Sequence, residues 1–338
     1  MKKTVSILLV LSLLLTLVIS GCGSSTNTSG TDNKPIIIKF SHVVAESTPK
    51  HQAALKFKEL LEKNSNGKFQ VQVFPSSQLY GDKEEMEALQ ANNVQFIAPL
   101  SNKVVSFSKS FQISDLPFLF QDEKSAYSFY IGENGQKLLK SLEPKGILGV
   151  AWWLNAQKVF TNSKRPITKP EDFKGLKFRT QSGGLLDDQF KALGAGSQTI
   201  AWGDTYQALQ NGTVDGQENT LNNIDTAKLD EVQKYLTISN HGRNDYVVLT
   251  NSKFWNSLSP EDQKLINDAM KQATDYEIKL AGELDRKSLE NLQNRGKIKI
   301  NTLSDSQKEE FKKVLQPVYD KYVDLIGKEY IEAAKNSK

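Results

Sequence analysis

Hydrophobic positions change their period along this chain, and each change marks an element. An unbroken apolar run from Val5 to Ile19 follows Lys2 and Lys3 and ends on small residues before Cys22. It is shorter than the roughly 20 apolar residues that span a bilayer, so a secretory signal over 1–21 is expected. Residues 22–34 hold no large apolar side chain and read as a flexible tether. From Pro35 onward two periods alternate. Strands are expected at 36–44, 68–74, 94–98 and 147–153, where branched and aromatic residues cluster or alternate. Thr48 and Pro49 open a helical pattern that Gly67 closes, and a second helix is expected over about 82–92. The second half repeats this order, with strands at 176–181 and 197–202 and helices at 185–194 and 203–212. Leu265, Ile266, Ala269, Met270, Ala273, Tyr276 and Leu280 recur at helical spacing, so one long helix is expected from Ser259 to about Arg295. A last helix runs from Ser304 towards Ala334. Strand and helix in turn imply an α/β class with substantial parallel pairing.

One stretch fits neither period. "VDGQENTLNN", residues 214–223, holds two acids, four amides and a glycine. Asn, Asp and Gly dominate turns, so composition alone makes it a surface loop. So many neutral hydrogen-bonding groups in ten residues would also suit a binding surface.

Composition narrows the function by exclusion. The 43 basic and 39 acidic residues are scattered, and loss of Lys2 and Lys3 with the signal brings the formal charge down from +4 to near neutrality. Nothing suggests a nucleic-acid surface. Cys22 is the single cysteine, so no internal disulfide, zinc cluster or CxxC pair is available. His42, His51 and His241 are too far apart for a local metal motif. No HExxH, GxSxG, Walker or GxGxxG pattern occurs, and Gly194 and Gly196 lack a third glycine. Asp187 and Asp188 would point about 100° apart on a helix, which suits an exposed face better than a paired catalytic site. No enzyme, metal or cofactor is expected.

Two resemblances add to this reading. Ile19, Ser20, Gly21 and Cys22 resemble the bacterial lipobox, which implies that Cys22 is lipidated and becomes the mature N-terminus. A soluble body tethered in this way suits a cell without an outer membrane, such as a Gram-positive bacterium. Residues 175–224, "GLKFRTQSGGLLDDQFKALGAGSQTIAWGDTYQALQNGTVDGQENTLNNI", resemble the core signature of the solute-binding proteins of TRAP transporters, the DctP family. "DLPFLF" at 115–120, "FTNSKRPITKPEDFKGLKFR" before the signature and "SNHGRNDYVVLTNSKFW" after it extend the likeness over nearly the whole mature chain.

The resemblance implies a two-lobed periplasmic-binding-protein-like α/β fold with hinge strands, a long bridging helix and the ligand between the lobes. Lobe 1 would take 35–156 and about 245–284; lobe 2 would take 157–244 and about 285–312; about 313–338 would be a C-terminal helix packed on the body. By the same likeness Arg179, the arginine of the "GLKxR" strand, holds the ligand carboxylate, and a planar guanidinium can do so with two parallel hydrogen bonds. Asn219, of "DGQEN", would donate its amide to the ligand, with Asp215 and Gly216 as turn residues. Trp202 would form an aromatic wall. Lys158 stands where many relatives carry a basic residue, often arginine. His42 matches a position near the cleft mouth, and Gln78 and Ser101, in loops after strands, would add polar contacts. The segment after Arg179 resembles the branch that binds C4-dicarboxylates (succinate, fumarate, malate), while Arg243 and Asp245 depart from its usual pattern and leave a uronate as the alternative. The implied role is capture by a monomer and delivery to the small and large membrane subunits of an ion-driven permease; a ligand-sensing role toward a sensor kinase is the other class of function.

Overall fold

Strand pairing builds two sheets in this computed structural model, which describes residues 34–337. Cys22, the expected signal and all of the tether except Lys34 lie outside the described residues. The strands are β1 (Ile36–Ser41), β2 (Phe69–Phe74), β3 (Phe96–Ile97), β4 (Ile147–Gln157), β5 (Val159–Asn162), β6 (Lys177–Thr180), β7 (Gly196–Thr199), β8 (Gly216–Asn219), β9 (Tyr235–Ile238), β10 (Arg243–Asn251) and β11 (Lys299–Thr302). The first sheet has the order β2-β1-β3-β10-β4 and the second β11-β9-β5-β8-β6-β7. β1 pairs in parallel with β2 and β3, and β6 with β7 and β8. β10 lies antiparallel between β3 and β4, and β5 antiparallel between β8 and β9.

The chain therefore passes between the sheets three times, twice at closely spaced places and once more between β10 and β11. Lys158 alone separates β4 from β5, and residues 239–242 separate β9 from β10. The Lys158 amide donates to the Gly242 carbonyl at 2.8 Å, joining the two crossings. A Cβ on Gly242 would lie 2.7 Å from the Lys158 Cε, so only glycine lets the lysine pass so close.

The long helix forms where its periodicity predicts, Pro260–Arg295. Ser259 caps it by accepting from the Asp262 amide, Pro260 fits its first turn, and Gly296 ends it at φ 63°. Its 36 residues reach about 54 Å. It packs on β4 and the helix Pro49–Asn64, and further along on the helix Leu221–Thr226. It thus touches elements attached to both sheets. Aromatic residues fill each side: Phe40 stacks on Trp153 at 5.6 Å in the first sheet's core, and Phe178 on Phe190 at 4.6 Å beside the second.

Five expectations change. The strand at 197–202 ends at Thr199, and Trp202 opens the helix Trp202–Gln210. The last helix is two, Asp305–Ile326 and Lys328–Asn336, parted by Gly327 at φ 108°, which a side chain rarely adopts. Residues 214–223 are not a surface loop: Gly216 to Asn219 form β8 and are buried throughout. Gly216 is a strand residue rather than a turn residue, and its Cβ would meet the Thr161 carbonyl oxygen at 2.3 Å. Asp187 and Asp188 are half-buried; Asp187 accepts from Ser197 at 2.6 Å and Asp188 from the Tyr322 hydroxyl at 2.7 Å.

Candidate functional site

Parallel strands place polar loops at their C-terminal ends, where α/β folds form binding crevices. Beyond β1 the helix Pro49–Asn64 begins, and its second residue, Lys50, is buried. The Lys50 ammonium donates to the Ala98 carbonyl, just past β3, at 2.9 Å and lies 3.7 Å from the centre of the Tyr246 ring. Asp82 and Glu85 come from the segment that starts the next helix, Glu85–Gln90. From the second sheet, Arg179 projects from β6, Asn219 ends β8, and Trp202 opens its helix. Together these residues line one cavity of about 30 Å³ with Lys103, Gln181, Asn223 and Tyr246. Its volume is small beside the 300–1,000 Å³ of drug-sized sites.

The polar groups of this cavity are only partly satisfied. The Arg179 side chain is 1 % exposed. Its Nε donates to the Ile200 carbonyl at 2.9 Å, while Nη1 is buried without a hydrogen-bond partner. Among the described residues Arg179 has no carboxylate within ion-pair distance. Burial lowers its pKa to about 10, still high enough to keep it charged, with more distant Asp82 and Glu218 opposing the shift. The Trp202 ring lies 5.8 Å from its guanidinium carbon. A desolvated cation with a free donor is costly unless an anion joins it.

Asn219 is fixed by its oxygen. Oδ1 accepts from the Thr220 amide at 3.0 Å, from Asn223 at 2.9 Å and from Asn244 at 2.8 Å. Those three donors settle the orientation of the amide and leave its NH₂ group unengaged at the cavity wall. Across the space the Trp202 amide donates to Asp82 at 3.3 Å, a direct link between the parts carrying the two sheets. Asn222 donates to Asn155 on β4 at 2.7 Å, and Asn223 to the Tyr246 hydroxyl on β10 at 3.1 Å. The amides of 214–223 thus hold the cavity wall to the first sheet.

A second set of buried charges lies at the crossings. Lys158, fully buried, pairs with Asp115 at 3.0 Å and Glu218 at 2.6 Å. Glu218 also accepts from Gln189 at 3.0 Å and faces His241 at 2.8 Å. Burial works against its ionisation, but Lys158 and His241 outweigh it and hold the carboxyl near about 2. Burial lowers the His241 pKa despite Glu218, so the neutral ring donates from Nε2 while its Nδ1 meets Ser239 at 2.7 Å.

The structure brings Arg179, Asn219 and Trp202 together and leaves four of the expected residues outside the cavity. Lys158 is consumed in its ion pairs. His42 is buried against His51, with a 3.0 Å contact between ring nitrogens, and burial lowers its pKa. Ser101 pairs with Ser114 at 2.6 Å, and Gln78 is exposed on the surface. Arg243 is held by Asp245 and Glu123 at 2.8 and 2.7 Å, so that departure from the family pattern forms an internal pairing rather than a cavity contact. Lys50, Asp82, Glu85 and Tyr246 were missed. Lys50 lies in the first turn of the helix that follows β1, where a lysine after Pro49 carries no mark of burial in the sequence. A larger open groove of about 590 Å³ includes Asp122, Glu123 and Asp285 in its walls, and its two lysines, Lys308 and Lys312, pair with Asp305 and Glu309. It offers an anion less than the cavity does.

Known proteins resemble the chain over its whole body. The family model for bacterial extracellular solute-binding proteins, family 7, matches residues 40–324. The C4-dicarboxylate-binding periplasmic protein DctP of Rhodobacter capsulatus is 44 % identical over 303 residues, 89 % of this chain and 91 % of its own length. The C4-dicarboxylate-binding protein DctB of Bacillus subtilis is 41 % identical over 296 residues, covering 88 % and 85 %. A TRAP periplasmic solute-binding protein from Shewanella oneidensis, solved with bound succinate, superposes with a TM-score of 0.88 at 42 % identity, covering 90 % of this chain and 99 % of that one.

Proposed function

The chain belongs to family 7 of the bacterial extracellular solute-binding proteins, and we propose that its cavity captures a C4-dicarboxylate, such as succinate, fumarate or malate, for delivery to the two membrane subunits of an ion-driven permease. The observation that carries the reading is Arg179, buried in the cavity with a donor unused, while Lys50 supplies a second cation to the same space. Two cations match the two carboxylates of a diacid. Arg179 would grip one carboxylate, Lys50 would face the other, the Asn219 amide would donate to an oxygen, and Trp202 would cover the short carbon chain. The pair of cations favours a diacid over a uronate, which carries a single carboxylate.

The ligand is held and released without a bond being made or broken. Entry requires the Trp202–Asp82 link to part, with motion about the crossings at Lys158 and 239–242; closure then removes water and strengthens each charge contact. In this proposal the moving lobes are 35–156 with about 245–284, and 157–244 with about 285–312, and a lipid on Cys22 keeps the monomeric body at the membrane.

The described body forms one compact unit from Pro35 onward, so protein beginning at residue 34 can be tested alone. Calorimetry and thermal shift should show binding of succinate, fumarate or malate, weaker binding of galacturonate, and recovery of the ligand unchanged after long incubation. Preference for the sugar acid, or conversion of the ligand, would refute the proposal.

A further inference from the structure

The cavity also holds an acid that the proposed contacts leave unused. Glu85, the first residue of its helix, lines the cavity, and both of its carboxylate oxygens are buried without a hydrogen-bond partner. Lys50 faces it from the helix Pro49–Asn64, Asp82 and Glu84 from the segment before its own helix, and Lys103 from the turn Ser101–Val104. Arg179 and Tyr246 line the same space, and burial keeps the Tyr246 hydroxyl un-ionised. His42, Asp82 and Glu277 also interact electrostatically with Lys50.

These charges fall into two groups. Lys103 and Asp82 form an ion pair at 2.8 Å and cancel. Arg179 and Lys50 remain, both buried and neither in an ion pair among the described residues. A bound dianion would neutralise those two cations. An ionised Glu85 would then be a third negative charge beside two positive ones in a desolvated space, a costly arrangement that protonation removes.

We infer that capture of a dicarboxylate dianion takes up one proton from solvent, and that Glu85 carries it as a neutral carboxyl. The only bond formed is O–H on a Glu85 oxygen, which then becomes a donor facing the ligand. Burial pushes Glu85 up to about 8, with the attraction of Lys50 opposing, so the residue is poised for this change near neutral pH. The inference rests on the dicarboxylate reading.

Calorimetric titration with succinate in buffers of different ionisation heat tests it. At pH 6 free Glu85 already holds its proton, so proton uptake is near zero in wild type and in Glu85→Gln alike. At pH 9 wild type takes up close to one proton more than Glu85→Gln. Its affinity relative to that variant falls about tenfold per pH unit above about 8; Lys50, which burial lowers to about 8 against the attraction of Glu85, loses its own charge over the same range, so the Glu85 effect is read as the difference between the two proteins. Infrared difference spectra of wild type at pH 9 should gain a protonated-carboxyl C=O absorption on addition of succinate, a readout that does not depend on the variant folding. Succinate binding without that absorption, or with equal proton uptake in both proteins, overturns the inference alone. Failure of succinate, fumarate and malate to bind overturns the dicarboxylate reading and the inference with it.

Discussion

Arg179, on β6, and Lys158, at the crossing between β4 and β5, are both basic and both fully enclosed, yet their surroundings differ in one respect. Lys158 meets two carboxylates, and one of these, Glu218, is further held by Gln189 and His241. Arg179 meets a single carbonyl through one nitrogen and leaves another empty. Burial is equal, so burial does not separate a structural charge from a binding charge. Pairing does. A buried cation satisfied by its own chain ties the chain together, and one left short of an anion has a donor to offer, which is the role proposed for Arg179.

The largest effect should come from breaking the satisfied set. Lys158→Met fits the space but strands Asp115 and Glu218 without their cation, and removing one member of a buried pair costs about 3 to 5 kcal/mol. Thermal and urea melts should show that loss in the absence of ligand, and succinate affinity should persist in whatever fraction folds. A variant that folds normally but does not bind would place Lys158 at the ligand after all. Acid reaches the same network by titration. The folded pKa of Glu218 is depressed, from its ordinary 4.5 to about 2, so its contribution is fully present above pH 4.5 and is lost as pH falls towards 2. Glu218→Gln should be less stable at pH 7 and lose less than wild type across that window.

Arg179 should show the reverse pattern, with a smaller free-energy change that falls on binding alone. Charge-assisted hydrogen bonds contribute roughly 1.5 to 3 kcal/mol, so Arg179→Ala should bind succinate about ten- to a hundred-fold more weakly, while its unliganded melt is no lower than that of wild type. Arg179→Lys keeps the charge but loses the planar fork, and should fall within the same range. Near wild-type affinity in the lysine variant would mean that charge alone suffices and that the empty Nη1 is incidental.

The comparison also explains what could be read from the chain. Apolar period located β1 to β4, β6, part of β7 and the long helix, because burial of a face leaves a trace at every second residue or at helical spacing, while β5, β8, β9, β10 and β11 were not expected. Ser259 marked the start of that helix for a local reason as well, since its side chain caps the first turn. The loop expected at 214–223 failed because its polar residues satisfy one another: Asn219, Asn222 and Asn223 are as buried as a core strand, and composition registers polarity without partners. Among site residues, Arg179, Asn219 and Trp202 came from likeness to a motif. Lys50 and Glu85 did not, since a Pro-Lys at a helix start and an acid in "DKEEME" look like ordinary solvated positions. Only the folding of β1 and β3 side by side turns them inward, and Lys158 could be told from Arg179 only once Asp115, forty-three positions away, is seen to reach it.

The smallest effect, and the sharpest test of pairing as the criterion, concerns Asn219, which belongs to both kinds of surroundings at once. Its oxygen is saturated by Thr220, Asn223 and Asn244, as in a structural group, and its NH₂ group is unengaged, as in a binding one. Asn219→Ala removes both halves, so it mixes loss of one ligand bond, about 1 kcal/mol, with the cost of stranding three donors. Asn219→Asp keeps the oxygen that those donors need and replaces only the free donor, with an acceptor that repels a carboxylate. The aspartate variant should therefore melt close to wild type while losing succinate affinity, whereas the alanine variant should lose stability as well; both should bind better than Arg179→Ala if the guanidinium is the main grip. Calorimetry and melts on the three variants separate these outcomes. An aspartate variant that retains full affinity would show that the free NH₂ group faces no ligand, and would leave Asn219 a purely structural residue on the Lys158 side of the comparison.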